Sequence, residues 1–386
     1  MRATPNQMPA LADIVGRDDL VADLRGEVQR SSLVLLAERR VGKTTVLRKL
    51  DDALSGAGCL CLRQDLEGCG GVREFAERVA RAATERLKGL PRWRGQALGL
   101  VDRLGGAQAG GWALGGGLRR TWQTVLDSAV TDLLDAHKTG LVALLWDEFP
   151  MMLQGFGQPA DPGDGAGALL DHLRALRQRH PRLRLVLTGS IGLHHVLRPI
   201  GKTASINDIE PREVPPLALP NAVDLARRLL TGESFAAARA ADVAEAIALG
   251  ADCVPYYIHH LVKALLARRE QPLDAAAVAD ARRRCLRDAA DPWHLTHFEE
   301  RLGTYYGDRA PHARRVLEAV AESVGPVAHE AIEARLRQTD DTVDLPELLR
   351  DLVVDHYLRA DDGSRAYAFR FGVVRDWWRW RIGCDE

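Results

Sequence analysis

"LVLLAERRVGKTTVLRKL" (Leu33–Leu50) runs from an aliphatic stretch through a charged turn and one glycine into a helical pattern. Residues 37 to 44 read A-E-R-R-V-G-K-T and match the spacing G-x-x-x-x-G-K-[ST] at every defined position except the first, where Ala37 stands. This is the pattern of a phosphate-binding loop after a buried strand. Glu38, Arg39, Arg40 and Val41 supply a turn of backbone N–H groups, and Gly42 lets the backbone approach phosphate with no side chain in the way. Lys43 is placed to reach the β- and γ-phosphates, and the Thr44 hydroxyl is placed to bind Mg²⁺. From Thr44 and Thr45 onward a helix aims its free N–H groups and positive dipole end at the anion. Alanine is the smallest departure from the missing glycine. It costs little at φ < 0, whereas φ > 0 would cost of order 1–3 kcal/mol.

A second motif supports the first. "LVALLWDEFP" (Leu141–Pro150) is an aliphatic strand ending in two acids. Asp147 at the strand tip suits Mg²⁺ coordination through water, and the adjacent Glu148 suits polarisation of the water that attacks a γ-phosphate. A protein that only binds nucleotide needs the aspartate alone, so Glu148 points to hydrolysis. A further strand ends "LTGSIGLHHVL", where Ser190 or Thr188 could sense the γ-phosphate. A nucleophile elbow would need glycine at position 188, which holds threonine. The pairs His194–His195 and His259–His260 are adjacent rather than one helical turn apart, so neither offers two metal ligands on one face.

From Ile14 to about Ser190, short Leu- and Val-rich runs alternate with longer helical patterns. The runs Ser32–Ala37, Cys59–Leu66, Leu141–Glu148 and Leu183–Ser190 read as strands buried on both faces of a parallel sheet. The alternation therefore predicts an α/β fold. "LGGAQAGGWALGGGLRR" (Leu104–Arg120) interrupts it with seven glycines in its first fourteen residues and reads as an inserted hairpin or loop. Beyond Pro215 the patterns are helical, at Ala222–Leu230, Phe235–Leu249, Tyr256–Arg269 and Asp274–Arg287. A third composition follows, with helices expected at Pro311–Ser323, His329–Arg337 and Leu345–Val354. Two strands are expected around "ADDGS", with Tyr367, Phe369 and Phe371 on one face. The expected domains are an ATPase domain over residues 1–214, a helical lid over 215–300 and a winged-helix-like domain over 301–386.

The whole chain, 386 residues with 46% hydrophobic content and a net charge of -1, has no overall electrostatic pull toward nucleic acid or membrane. Its longest clean apolar run is far short of the ~20 residues of a membrane span. The N-terminal residues lack the apolar core of a secretion signal, and six cysteines scattered through so long a chain suggest neither a disulfide framework nor a zinc site. A cytoplasmic location is expected.

In order along the chain, "IVGRDDLVADL" at Ile14, "AERRVGKTTVL" at Ala37, "LLWDEFP" at Leu144, "TGSIGL" at Thr188 and "ALGADCVPYYIHHL" at Ala248 resemble the motifs of the archaeal-type ATPases. These form part of the STAND branch of AAA+-like P-loop proteins. The resemblance covers roughly Asp13 to Ala267 by motif and the tail by arrangement only. It implies a parallel sheet of order 5-1-4-3-2 with helices on both faces, and ATP with Mg²⁺ as cofactors. It also implies that Val15, Gly16 and Arg17 pack on the adenine side. Pro255 is similar to the nucleotide-contacting proline of the helical-domain G-x-P motif, although Gly250 lies five residues before it rather than two. Arg198 is the nearest candidate for an arginine finger, but a solvated helix end is the simpler reading of it.

The function expected from the resemblance is a regulatory ATPase of slow turnover. Its nucleotide state would control domain closure and association with a protein partner or with itself. The alternative is a DNA-associated AAA+ ATPase. Against it, Asp340–His356, the stretch expected to enter a groove, holds six acidic residues and one arginine, Arg350. Arg359, Arg365 and Arg370 are basic, and "RDWWRWR" (Arg375–Arg381) combines arginine with tryptophans that suit either packing of the closing helix or a protein contact.

Overall fold

The aliphatic runs of the first half become the strands of one parallel sheet. The computed structural model describes residues 1–5, 7–88, 122–157, 162–189, 192–235, 237–268, 273–337, 343–361, 363 and 365–384. Two compact units emerge, one made of residues 18–36 and 43–214, the other of residues 1–17, 37–42 and 215–386. The glycine-rich segment at 104–120 and Ser190 lie outside the described residues.

In the first unit α1 (Asp18–Val28) leads into β1 (Ser32–Leu36), and α2 (Lys43–Gly56) is followed by β2 (Leu60–Asp65) and α3 (Val72–Leu87). Then come α4 (Trp122–Ala136), β3 (Val142–Asp147), α5 (Phe149–Gly155), α6 (Ala166–Arg179), β4 (Leu183–Gly189), α7 (Leu193–Leu197) and β5 (Ile209–Glu213). The sheet order is β2-β3-β4-β1-β5, every pairing is parallel, and this is the expected order read from the opposite edge. The register sets Leu33 beside Val186, Ser32 beside Ile209 and Val142 beside Leu183.

Burial on both faces explains the unbroken apolar composition. Every residue of β3 is buried, and Leu33, Leu35 and Leu144 are wholly so. Trp146 anchors this core, edge-on to Phe75 at 5.0 Å and stacked on Phe149 at 6.0 Å. Such large side chains contribute most of the burial energy, roughly 25 cal/mol per Å² of apolar surface removed from water. The fifth strand, "IEPRE", was not among the runs that read as strands. It is an edge strand paired only with β1, and every position after Ile209 is exposed or half-exposed, so neither apolar continuity nor exclusion of Pro211 is required.

The second unit is helical except for one small sheet. Its elements are α8 (Leu219–Gly232), α9 (Ala237–Gly250), α10 (Pro255–Leu266), α11 (Ala275–Arg287), α12 (Thr296–Tyr305) and α13 (Ala310–Glu322). They are followed by β6 (Val327–Ala328), α14 (His329–Arg337), α15 (Leu345–Val354), β7 (Leu358–Asp361), β8 (Ala366–Phe369) and α16 (Gly372–Arg381). Local chemistry starts several of these helices. Asp274 caps α11 by accepting from Ala277 N at 2.8 Å, and Asp344 caps α15 by accepting from Glu347 N at 3.0 Å. Pro255 occupies the first turn of α10, where its missing N–H costs nothing.

The antiparallel sheet has order β6-β8-β7, so the two strands expected around the "ADDGS" turn acquire a third partner. Trp377 and Trp378 of α16 are buried, which accounts for part of the aromatic tail as packing. Asp351, one of the acids of α15, is buried and paired with Arg309 at 2.9 Å. Among the described residues no helix is long and apolar enough to cross a membrane.

Candidate functional site

The carboxyl ends of β1, β3 and β4 lie side by side because β4 separates β3 from β1 in the sheet. Crevices at such strand ends are where open α/β sheets bind ligands. Asp147 is the last residue of β3, and Thr188 is the penultimate residue of β4, opposite Leu35 of β1. The Thr44 hydroxyl, in the first turn of α2, donates to Asp147 Oδ2 at 2.6 Å. The Thr188 hydroxyl donates to the other oxygen, Oδ1, which also accepts the Glu148 backbone N–H at 3.1 Å. Three donors therefore orient one buried carboxylate.

The two residues expected at the metal, Thr44 and Asp147, are thus brought into contact. A hydroxyl and a carboxylate form the hard oxygen donor set that Mg²⁺ takes beside a nucleotide's phosphates, so the residues present fit that ion. Lys43, the first residue of α2, is buried in the same unit. Thr188, named with Ser190 as a residue that could sense the γ-phosphate, has its hydroxyl on Asp147.

Glu148 is held at φ +53°, in the left-handed region, where a residue with a Cβ is uncommon. It is the N-cap of α5, and its carbonyl accepts from Met152 N at 3.0 Å, so the following helix enforces the conformation. Strain of this kind persists where surrounding structure over-determines it, and it often marks functional sites. Arg198 is exposed at the C-cap of α7.

Residues 37–42, the first part of the phosphate loop, belong to the second compact unit. Ala37 is buried and is not among the positive-φ residues, so the absent glycine carries no backbone strain. Gly42 adopts φ +103°, which only glycine takes without penalty. Arg39 is exposed. Arg40 has φ +71°, and its guanidinium lies 4.3 Å from the centroid of the Tyr256 ring, next to Pro255.

Arg17, expected on the adenine side, is buried and donates to the carbonyls of Val41 at 2.8 Å and Pro215 at 2.7 Å. Burial lowers its pKa to about 10, so it remains charged at neutral pH. Val15 and Gly16 precede it, half-buried, and Gly16 has φ +64°.

Glu38 was expected among the cofactor-binding residues of the loop, and its carboxylate is turned to a different set of partners. Arg301 of α12 donates through Nη1 to both of its oxygens, at 2.8 and 2.9 Å, and Arg39 N donates to Oε1 at 2.6 Å. His297, one helical turn before Arg301, approaches Oε1 with Nε2 at 3.4 Å. Burial opposes ionisation of Glu38, but the Arg301 charge and the His297 contact outweigh it and hold the carboxyl well below the usual carboxylate range.

Neither Arg301 nor His297 was a candidate from sequence. The segment "THFEERLGTY" does place them four apart, on one helix face, but nothing local says which face meets the loop.

Comparison with known proteins agrees with this fold. Residues 26–197 match the AAA domain family. A sequence comparison with curated proteins gives no match. Among solved structures, a Walker-type ATPase of Pyrococcus abyssi is similar at TM-score 0.65 and 18% identity, covering 97% of this chain and 99% of that one. The ORC2 protein of Aeropyrum pernix, in ADPNP–ADP complexes, is similar at TM-score 0.58 and 12% identity, covering 99% and 98%. At these identities the likeness is one of fold. The β-sheet unit has the parallel α/β fold of the P-loop NTPases, and its residues 26–197 match the AAA domain.

Proposed function

We propose that the chain binds ATP with Mg²⁺ and hydrolyses it slowly, as a regulatory ATPase of the STAND branch. The observation that carries this reading is the contact of the Thr44 hydroxyl with Asp147 Oδ2 at 2.6 Å, with Thr188 on the second carboxylate oxygen. In this reading Thr44 and Asp147 hold the ion, which would neutralise the phosphate charge that develops during transfer. Lys43 binds the terminal phosphates. Glu148 takes the proton of the attacking water as general base, and Thr188 keeps Asp147 oriented.

The nucleotide state then controls closure of the ATPase and helical domains and association with a protein partner or a second copy of the chain. The division at about residue 214, with a helical lid to about 300 and a winged helix beyond, is part of this proposal. The β7–β8 hairpin and the buried tryptophans of α16 support the winged-helix reading.

Three measurements test it together: ATP turnover with and without Mg²⁺, the same with Lys43→Ala and Glu148→Gln, and particle size in ATP, ADP or neither. Turnover that requires Mg²⁺, Lys43 and Glu148, with a size change in ATP alone, is expected. Equal turnover in the Lys43→Ala protein would overturn the assignment.

A DNA-associated ATPase is the second reading. Arg359, Arg370 and Arg375 line a cavity of about 370 Å³ beside the small sheet, a basic feature that favours it. Asp344 and Glu347 at the start of α15 oppose it, and so does the near-neutral net charge of -1. Mobility of a DNA duplex that shifts with this protein and relaxes as salt rises would select this alternative.

A further inference from the structure

The loop segment 37–42 is fastened at three places. The Glu38 carboxylate is held by Arg301, the Arg40 guanidinium lies on Tyr256, and the Val41 carbonyl is bound by Arg17. The first of these is the only one that uses a buried ion pair. Glu38 and Arg301 are both almost fully enclosed, and Arg301 Nη2 reaches the Asp355 carbonyl at 3.4 Å.

Stability is a weak reason for such a pair. Desolvating two charges costs several kcal/mol per ion, and buried pairs replaced by apolar residues of similar volume often leave a protein as stable or more so. Methionines in both positions would fill the space. They could not accept the Arg39 N–H, and they would have no preferred direction. What the pair supplies is geometry. It fixes where the Glu38 side chain goes, occupies one N–H of the loop, and orients the backbone that leads through Arg40 and Gly42 to Lys43.

The anchor on the helix side is itself braced. Tyr357 donates its hydroxyl to the Phe298 carbonyl at 2.7 Å, and the Tyr306 hydroxyl donates to Asp355 Oδ2 at 2.7 Å. The face of α12 that presents His297 and Arg301 is thus tied at Phe298 and just beyond its C-terminal end.

We propose that Arg301, with His297 beside it, is a positioning residue of the phosphate loop: by gripping the Glu38 carboxylate it sets the loop backbone and thereby the affinity for nucleotide. This rests on the nucleotide-binding reading above. Glu38 is then a tether rather than a ligand of the nucleotide.

The test compares the wild-type protein with Arg301→Gln, Glu38→Gln and the double variant Glu38→Met/Arg301→Met. Each is measured for nucleotide-free melting temperature, for binding of ATP with Mg²⁺ by calorimetry, and for KM and kcat. The double variant separates positioning from stability. It is expected to melt near the wild type yet to bind ATP about tenfold more weakly, with the loss in KM rather than kcat. Arg301→Gln is expected to lose both stability and affinity. A double variant that melts like the wild type and binds ATP within about twofold of it would overturn the inference. If the double variant does not fold, Glu38→Gln decides the matter, because it keeps the volume and one acceptor but not the charge. Weaker ATP binding at unchanged fold supports the tether, and unchanged binding overturns it. A folded wild type that binds no ATP would instead remove the nucleotide reading on which the proposal stands.

Discussion

The Thr44 hydroxyl and the Asp147 carboxylate, 103 residues apart in the chain, meet at 2.6 Å. The contact exists because only six residues separate the end of β1 from the start of α2 and because β4 alone stands between β1 and β3 in the sheet. A residue that opens a helix and a residue that closes a strand are delivered to the same end of the sheet.

The roles of the two adjacent acids separate experimentally. Glu148→Gln is expected to lower kcat about a hundredfold or more while ATP binding persists, since only a proton acceptor is removed. Asp147→Asn removes the charge that suits Mg²⁺ and is expected to raise the Mg²⁺ concentration needed for half-maximal binding of ATP. Calorimetry at several Mg²⁺ concentrations, with single-turnover hydrolysis, distinguishes the two.

Gly189 ends β4 against the ring of Pro150. A Cβ placed there would lie 2.4 Å from Pro150 Cδ and 2.6 Å from Cγ. Gly189→Ala should therefore push the first turn of α5 outward, at a cost of about 1–3 kcal/mol of overpacking. Glu148 is the N-cap of that helix, so kcat is expected to fall on the order of ten- to a hundredfold. Thermal melting and turnover of the Gly189→Ala protein check both halves, and normal turnover would show that Glu148 is indifferent to this contact.

Arg17→Met keeps much of the side-chain volume but leaves the Val41 and Pro215 carbonyls without their donor. The expected loss of stability is about 1–3 kcal/mol, read from denaturant unfolding in the absence of nucleotide. A change within about 0.5 kcal/mol would mean that water replaces the guanidinium at both carbonyls.

Two half-buried histidines give the stability a pH slope. His259 and His260 on α10 have pKa values lowered from 6.5 to about 4, chiefly by burial, and His260 also by Lys263, Arg40, His294 and His259. The neutral form is the folded one, and Thr4 N donates to His259 Nδ1 at 3.1 Å. As pH falls from about 6.5 toward 4 the unfolded chain takes up protons that the folded chain refuses, so stability falls through that window and is full above it. Melting temperature should drop between pH 7 and pH 5, and the drop should be smaller in a His259→Gln/His260→Gln protein. An equal drop in that protein would assign the slope to other groups.

Much of the sheet was legible because its strands are buried on both faces and announce themselves as aliphatic runs. The runs at Ser32, Cys59, Leu141 and Leu183 became β1 to β4 with ends shifted by only a residue or two. "IEPRE" was not, because an edge strand is half exposed and its pairing with β1 comes from the sheet rather than from its own composition. Helix α12 was missed for a related reason. Its sequence is polar on most faces, and the buried positions are His297, Phe298, Arg301 and Leu302, two of which carry charge or a titratable ring.

By itself the sequence determined the strand–loop–helix run at Leu33–Leu50, the acidic strand end and the parallel strands of the core, since each rests on local spacing and on the period of hydrophobic residues. Only the tertiary structure decided what the side chains of that loop do. Glu38 reads as one more loop residue until Arg301, 263 positions later, is seen holding both of its oxygens. A buried charge must find a partner, and which partner it finds depends on how distant helices pack, which no local pattern encodes.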